Sequence, residues 1–162
     1  MNRAGASKNI SDDVRWSGMS LCGELSWIPR SWSQLFERGQ GAGNAVWRLV
    51  AERRLQLLAT PPLFLEYEDV LKRAEQRLVH RLSLEQVDEF LAELAAHVEP
   101  VELHFMWRPQ VRDPGDEMVL EAAINGDADA LITYNVPGFA VAAERFGVKV
   151  LRPAEVLKMV KR

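Results

Sequence analysis

From Gly41 onward the apolar and polar positions follow two interleaved periods. Asn44 to Arg54 puts Val46, Trp47 and Val50 on one stripe, the spacing of an amphipathic helix, and Leu55 to Ala59 is an apolar run of strand length. Thr60-Pro61 is a helix start, a capping hydroxyl ahead of proline at the first position. Leu63, Tyr67, Val70, Leu71 and Ala74 then recur at core spacing. Ser83-Leu84-Glu85-Gln86 reads as a capping box that opens a helix with Val87, Phe90, Leu91 and Leu94 inward. A strand is expected within Val98 to Phe105, and a helix from Asp113-Pro114 carrying Val119, Leu120, Ala122 and Ala123. Ala130 to Tyr134 reads as a buried strand, and Phe139 to Phe146 as a helix stopped by Gly147. Val148 to Leu151 makes a strand and Pro153 to Val160 a last helix. Strands alternating with helices predict an α/β fold with a parallel sheet covered on both faces.

Residues 1–38 follow neither period. They hold seven of the eight serines and Trp16, Trp27 and Trp32, but only one valine, Val14, against fifteen in the remainder. The expected organisation is therefore an atypical N-terminal segment, 1–38, and an α/β domain, 39–162, with the first strand of the sheet in doubt.

At 162 residues the chain suits one domain with a real core. Its 48% hydrophobic and 27% charged content is that of a globular protein. A net charge of −3 counts against a large phosphate-tracking surface. It leaves room for an enzyme whose bound metal supplies the positive charge. Cys22 is the only cysteine, which excludes an internal disulfide and a cysteine-based zinc site. His80, His97 and His104 share no zinc-ligand spacing. There is no Gly-x-Gly-x-x-Gly and no Gly-Lys-Ser/Thr loop, which weakens a dinucleotide or nucleoside-triphosphate reading. No apolar run reaches membrane-spanning length and no basic-then-apolar leader is seen, so the expectation is a cytoplasmic protein that makes no membrane contact.

Candidate chemistry lies in the acids. Glu66 falls between Leu63 and Val70 at helical spacing and projects beside the apolar face, where it needs water, an arginine or a metal. Glu68 and Asp69 fall further round, on a solvated face. Asp113 before Pro114 is first of all an N-cap. Asp116, in the first turn on the side of Val119, Leu120 and Ala123, either complements the helix dipole or binds a ligand. A cap needs only one of these acids, so Asp116 is the better ligand candidate and Glu117 a weaker third. Asn135 ends an apolar strand before Val136-Pro137-Gly138, either as an Asx-turn acceptor or as part of a site at a strand's carboxyl end. Hard divalent cations take oxygen donors of this kind and activate water against phosphodiesters.

Residues 41–162 resemble the PIN-domain family, in the branch described as toxin components of bacterial toxin–antitoxin systems. The likeness runs through Ala59-Thr60-Pro61-Pro62-Leu63-Phe64-Leu65-Glu66-Tyr67-Glu68 and Trp107-Arg108-Pro109-Gln110-Val111-Arg112-Asp113-Pro114-Gly115-Asp116-Glu117. It continues in Asn125-Gly126, Leu131-Ile132-Thr133-Tyr134-Asn135 and Arg152-Pro153-Ala154-Glu155. The resemblance implies a three-layer α/β/α sandwich, Rossmann-like, with a central parallel sheet. It also implies a ribonuclease using Mg2+ or Mn2+, with RNA as substrate, a cognate antitoxin as partner and self-association as a homodimer. Glu66, Asp113 and Asp116 match the family's acids, and Asn135 stands where many relatives carry aspartate.

The family's opening motif, an apolar strand ending in aspartate and Thr-Asn, is missing. Asp12, Asp13 and Glu24 are read as poor substitutes because no apolar strand precedes them. Trp27-Ile28 must be encoded TGG-AT, so the frame offset by two bases reads GAT, an aspartate codon. One permitted codon choice for Leu25 to Phe36 gives Val-Leu-Asp-Thr in that frame, which makes a frameshift the leading explanation. The chain as written is then expected to be impaired, with its central strand and one ligand lost. The rivals are a catalytically inactive PIN-fold module that binds an antitoxin or itself, and a nucleotide-binding Rossmann-like protein.

Overall fold

The centre of the sheet is built by Met19–Gly23, a segment in which the sequence shows no periodicity. The computed structural model describes residues 19–23 and 41–161. Among these residues five strands are all parallel, in the order β3-β2-β1-β4-β5. They are β1 (Met19–Gly23), β2 (Leu55–Ala59), β3 (Val98–Pro100), β4 (Ala130–Ile132) and β5 (Lys149–Leu151). The expectation that the central strand is lost is corrected: β1 pairs with β2 on one side and β4 on the other. Leu21 and Cys22 are fully buried within it. Burying Leu21 contributes about 2 kcal/mol, which offsets part of the cost of ordering a strand of modest β-propensity.

Among the described residues seven helices cover the sheet: α1 (Ala42–Ala51), α2 (Pro61–Lys72), α3 (Ala74–His80), α4 (Leu84–His97), α5 (Pro114–Asn125), α6 (Val136–Arg145) and α7 (Pro153–Val160). This is the expected three-layer sandwich. α1 packs on α7 and β2, while α5 lies against β1, β2 and β4 with α2 beside it. Val87, Phe90, Leu91 and Leu94 of α4 are buried as their spacing requires, and Ser83 and Gln86 form both bonds of the capping box. Gly147 ends α6 at φ 71°, a left-handed position that only glycine takes without strain.

Three boundaries differ from the sequence pattern. The helix after Thr60 stops at Lys72, because Arg73 turns to extended backbone (φ −62°, ψ 139°) before α3 begins; Ala74 is consequently exposed. β4 ends at Ile132, and α6 starts at Val136, three residues before Phe139. No helix among the described residues is long and apolar enough to cross a membrane.

Candidate functional site

Register fixes where a site can form. Leu21 pairs with Leu57 and Gly23 with Ile132, so β1, β2 and β4 end at a common carboxyl edge. Ligands of open α/β sheets bind outside that edge. The helices that leave it carry the candidate acids. Thr60 caps α2 by accepting from the Leu63 N–H at 3.3 Å. One turn on, the Tyr67 hydroxyl donates to the carbonyl of Gly23. That bond ties α2 to the last residue of the central strand.

Glu66, the neighbour of Tyr67, is half-buried, with 28% of its side chain exposed. Asp113 caps α5 and accepts from the Gly115 N–H at 2.7 Å. Its expected capping role is therefore real, yet its carboxylate faces a second one. A Cβ placed on Gly115 would lie 3.1 Å from Asp113 Oδ1 and 3.8 Å from Glu66 Oε1. Glycine here leaves open a small cradle onto which two carboxylates from different helices converge. Both oxygens lie within 4 Å of that one point, and like charges that converge on a point favour a cation between or beside them.

Arg73 supplies part of that compensation. Its guanidinium lies 3.3 Å from Glu66 Oε1 and 2.7 Å from Asp69 Oδ2. The hydrogen bond to Asp69, the larger cause, and the charges of Asp69 and Glu66 hold the Arg73 pKa above its ordinary value. Glu68 pairs with Lys72 at 2.6 Å on the surface, as its place on the solvated face predicts.

Asp116 sits half-buried in the first turn of α5. Asn135 stands at the junction of β4 and α6, exposed, and makes no capping hydrogen bond with its side chain. The Asx-turn role open to it is taken by Thr133, whose buried hydroxyl accepts from the Asn135 N–H at 2.8 Å. The Asn135 side chain lies over Gly138, where a Cβ would meet Nδ2 at 2.4 Å and Cγ at 3.0 Å. The structure thus brings Glu66 and Asp113 together. Among the described residues no group of three His, Cys, Asp or Glu side chains is arranged to hold a metal ion.

The donors fit a hard divalent cation. They are oxygen atoms only, and magnesium is typically held by one or two carboxylates plus waters and phosphate oxygens. The reason given against Glu24 is also corrected. An apolar strand does precede it, since β1 ends at Gly23 and Glu24 is the next residue in the chain. Asp12, Asp13 and Glu24 themselves lie outside the described residues.

Glu117 has a different task from the one its spacing allowed. It is buried, and Oε1 accepts from the backbone N–H groups of Gln110 and Val111, the latter at 2.9 Å. One turn on, buried Glu121 accepts from Nε and NH2 of Arg108, at 2.7 and 2.8 Å. One turn further, Asn125 accepts from the His104 and Phe105 N–H groups and donates to the Phe105 carbonyl. Three polar residues at four-residue spacing on α5 thereby hold the loop that runs into Asp113. An acid, an acid and an amide on an otherwise apolar helix face was the available sequence signal.

A parallel α/β sandwich with acids at its carboxyl edge defines a class of hydrolytic and ligand-binding domains. The family model for the PIN domain matches residues 33–137, more than half of the chain, and the chain belongs to the PIN-domain family. PIN domains are generally nucleases and are typically dependent on divalent metal. No curated protein matches the chain.

Proposed function

We propose that this protein is a metal-dependent endoribonuclease, the toxin of a toxin–antitoxin pair, acting in the cytoplasm. The observation that carries the reading is the meeting of Glu66 and Asp113 over Gly115, on helices that flank the carboxyl edge. Glu66 and Asp113 would hold Mg2+ or Mn2+, with Asp116 and Asn135 beside them. When bound, such a cation supplies a Lewis acid that activates water and stabilises charge on the scissile phosphate. The residues themselves set its place. Thr60 and Tyr67 fix α2 and hence Glu66, the Gly115 N–H fixes Asp113, and Thr133 fixes the backbone of Asn135. A cognate antitoxin protein and a homodimer are the partners that belong to this reading.

Cleavage of single-stranded RNA, followed with Mg2+, Mn2+ or EDTA, tests it. Expected is metal-dependent cleavage that Glu66→Gln and Asp113→Asn each lower by at least about 100-fold, with Asp116→Asn less severe. Cleavage that survives EDTA, or that neither substitution changes, overturns the reading.

A non-catalytic module that binds an antitoxin or itself is the second reading. The position of Arg73 favours it, since a guanidinium 3.3 Å from Glu66 occupies charge that a metal would need. Titration calorimetry with Mn2+ separates the two: heat that vanishes in Glu66→Gln supports the nuclease, and no heat from the wild type supports the module.

A further inference from the structure

Three aromatic rings form a row at the surface near the C-terminal ends of α5 and α6. Phe105 and Trp107 lie 5.3 Å apart between ring centroids, and Trp107 and Phe146 likewise 5.3 Å. Phe105 is 62% exposed and Trp107 38%. Large aromatic groups left in water are costly, and isolated loops do not hold them there in a fixed row. Here the loop is fixed from beneath, through the bonds of Asn125, Glu121 and Glu117. The rings are therefore presented by design of the backbone bonding.

Two exposed guanidinium groups border the row. Residues 103–112 contain Arg108, Arg112 and His104 and no carboxylate, in a chain whose net charge is −3. Arg145 of α6 joins them, its NH1 donating to Gln110 Oε1 at 3.2 Å. Buried Glu121 takes up the charge of Arg108 and buried Glu117 lies beneath the loop, while exposed Glu102 stands beside His104, exposed Asp113 next to Arg112 and exposed Glu144 next to Arg145. Arg112 and Arg145 are exposed. Exposed rings with exposed guanidinium groups match single-stranded nucleic acid, whose bases stack on aromatic faces while its phosphates meet the cations. A peptide or a second copy of the chain would gain from the rings but not from the unpaired positive charge.

We propose that Phe105, Trp107 and Phe146 form a stacking platform for unpaired RNA bases, with Arg112 and Arg145 taking the adjoining phosphates. The loop runs back along α5 from Asn125 past Glu121 and Glu117 to Asp113, so a strand that follows it from the rings reaches the converging carboxylates one helix length away. The choice of RNA rests on the nuclease reading; the platform itself rests on the rings and charges.

The test is binding of a short fluorescein-labelled oligoadenylate to the full chain in EDTA, read by anisotropy, where no cleavage intervenes. Phe105→Ala and Trp107→Ala are each expected to weaken binding about tenfold, Trp107→Phe to retain it within about threefold, and Arg112→Gln to flatten its salt dependence. Circular dichroism confirms that each variant is folded, and Phe105→Ala serves if Trp107→Ala is not. Unchanged affinity in folded Phe105→Ala and Trp107→Ala overturns the platform. A drop in oligomer size in those variants with unchanged RNA affinity also overturns it and assigns the rings to a second copy. Weakened binding in a protein that cleaves no RNA with any metal upholds the platform while the nuclease reading falls. Cleavage abolished by Glu66→Gln with platform variants of unaltered affinity gives the converse.

Discussion

Arg108 grips Glu121 through two parallel hydrogen bonds, Nε to Oε1 at 2.7 Å and NH2 to Oε2 at 2.8 Å. The carboxylate is buried, its side chain 5% exposed, while the arginine keeps 39% of its side chain in water. Such a pair is unequal: removing the arginine leaves a buried charge without its partner. The hydrogen bond to Glu121, ahead of the other causes, holds the Arg108 pKa above its ordinary value. Arg108→Ala is expected to lower stability by about 2 kcal/mol, and Arg108→Lys to recover only part because it cannot reproduce the fork. Urea unfolding measures both, and a lysine variant as stable as the wild type would show that the fork geometry is unimportant.

Arg73 stands between Asp69 and Glu66. If it competes with a metal for Glu66, Arg73→Gln will tighten Mn2+ binding several-fold. Asp69→Asn frees the guanidinium to turn wholly to Glu66 and will weaken it. Calorimetric titration of the two variants gives the answer; a shift in the same direction for both would rule out competition at this carboxylate.

Gly126, just after α5, is a packing glycine. A Cβ there would lie 2.8 Å from Leu58 Cδ1 and 2.9 Å from Val101 Cγ2. Both neighbours belong to the wall beneath the helix, so they have little room to withdraw. Gly126→Ala is expected to cost about 1–3 kcal/mol by overpacking. A denaturant midpoint equal to the wild type's contradicts this packing.

Burial pushes the Cys22 thiol up to about 12 from its ordinary 9.0, with a backbone hydrogen bond at Gly23 partly opposing it. The native protein should therefore resist iodoacetamide at neutral pH and react once urea unfolds it. The folded thiol keeps its proton where the unfolded one has lost it, so this group's contribution to stability is intact below about pH 9 and falls as pH rises toward 12. Rapid alkylation of the native chain would mean that residues 19–23 do not form the sheet's centre.

The elements that declared themselves in the sequence are those with a solvated face or a chemical stop. β2 and α4 follow from an apolar run and a capping box, and α7 from Pro153. β1 did not, because a central parallel strand is buried on both sides and has no alternation to read. Met19-Ser20-Leu21-Cys22-Gly23 also carries a serine and a glycine and only one leucine, where β2 has three. Of the candidate site, Glu66 and Asp113 were legible as acids beside apolar faces. Their meeting over Gly115 depends on two helices distant in sequence, and no local pattern encodes it. Arg73 was hidden for a similar reason: the break in the helix that turns it toward Glu66 carries no proline or glycine.

The two outermost strands, β3 and β5, are three residues each, about 10 Å long. β3 ends in Pro100, which has no N–H to offer a neighbour, and β5 begins at exposed Lys149. Neither border is long enough to template another strand. Growth of the sheet by addition of a foreign or identical chain is thereby disfavoured at both borders of the five described strands. Among the described residues the surfaces left for contact are helices and loops and not a strand edge.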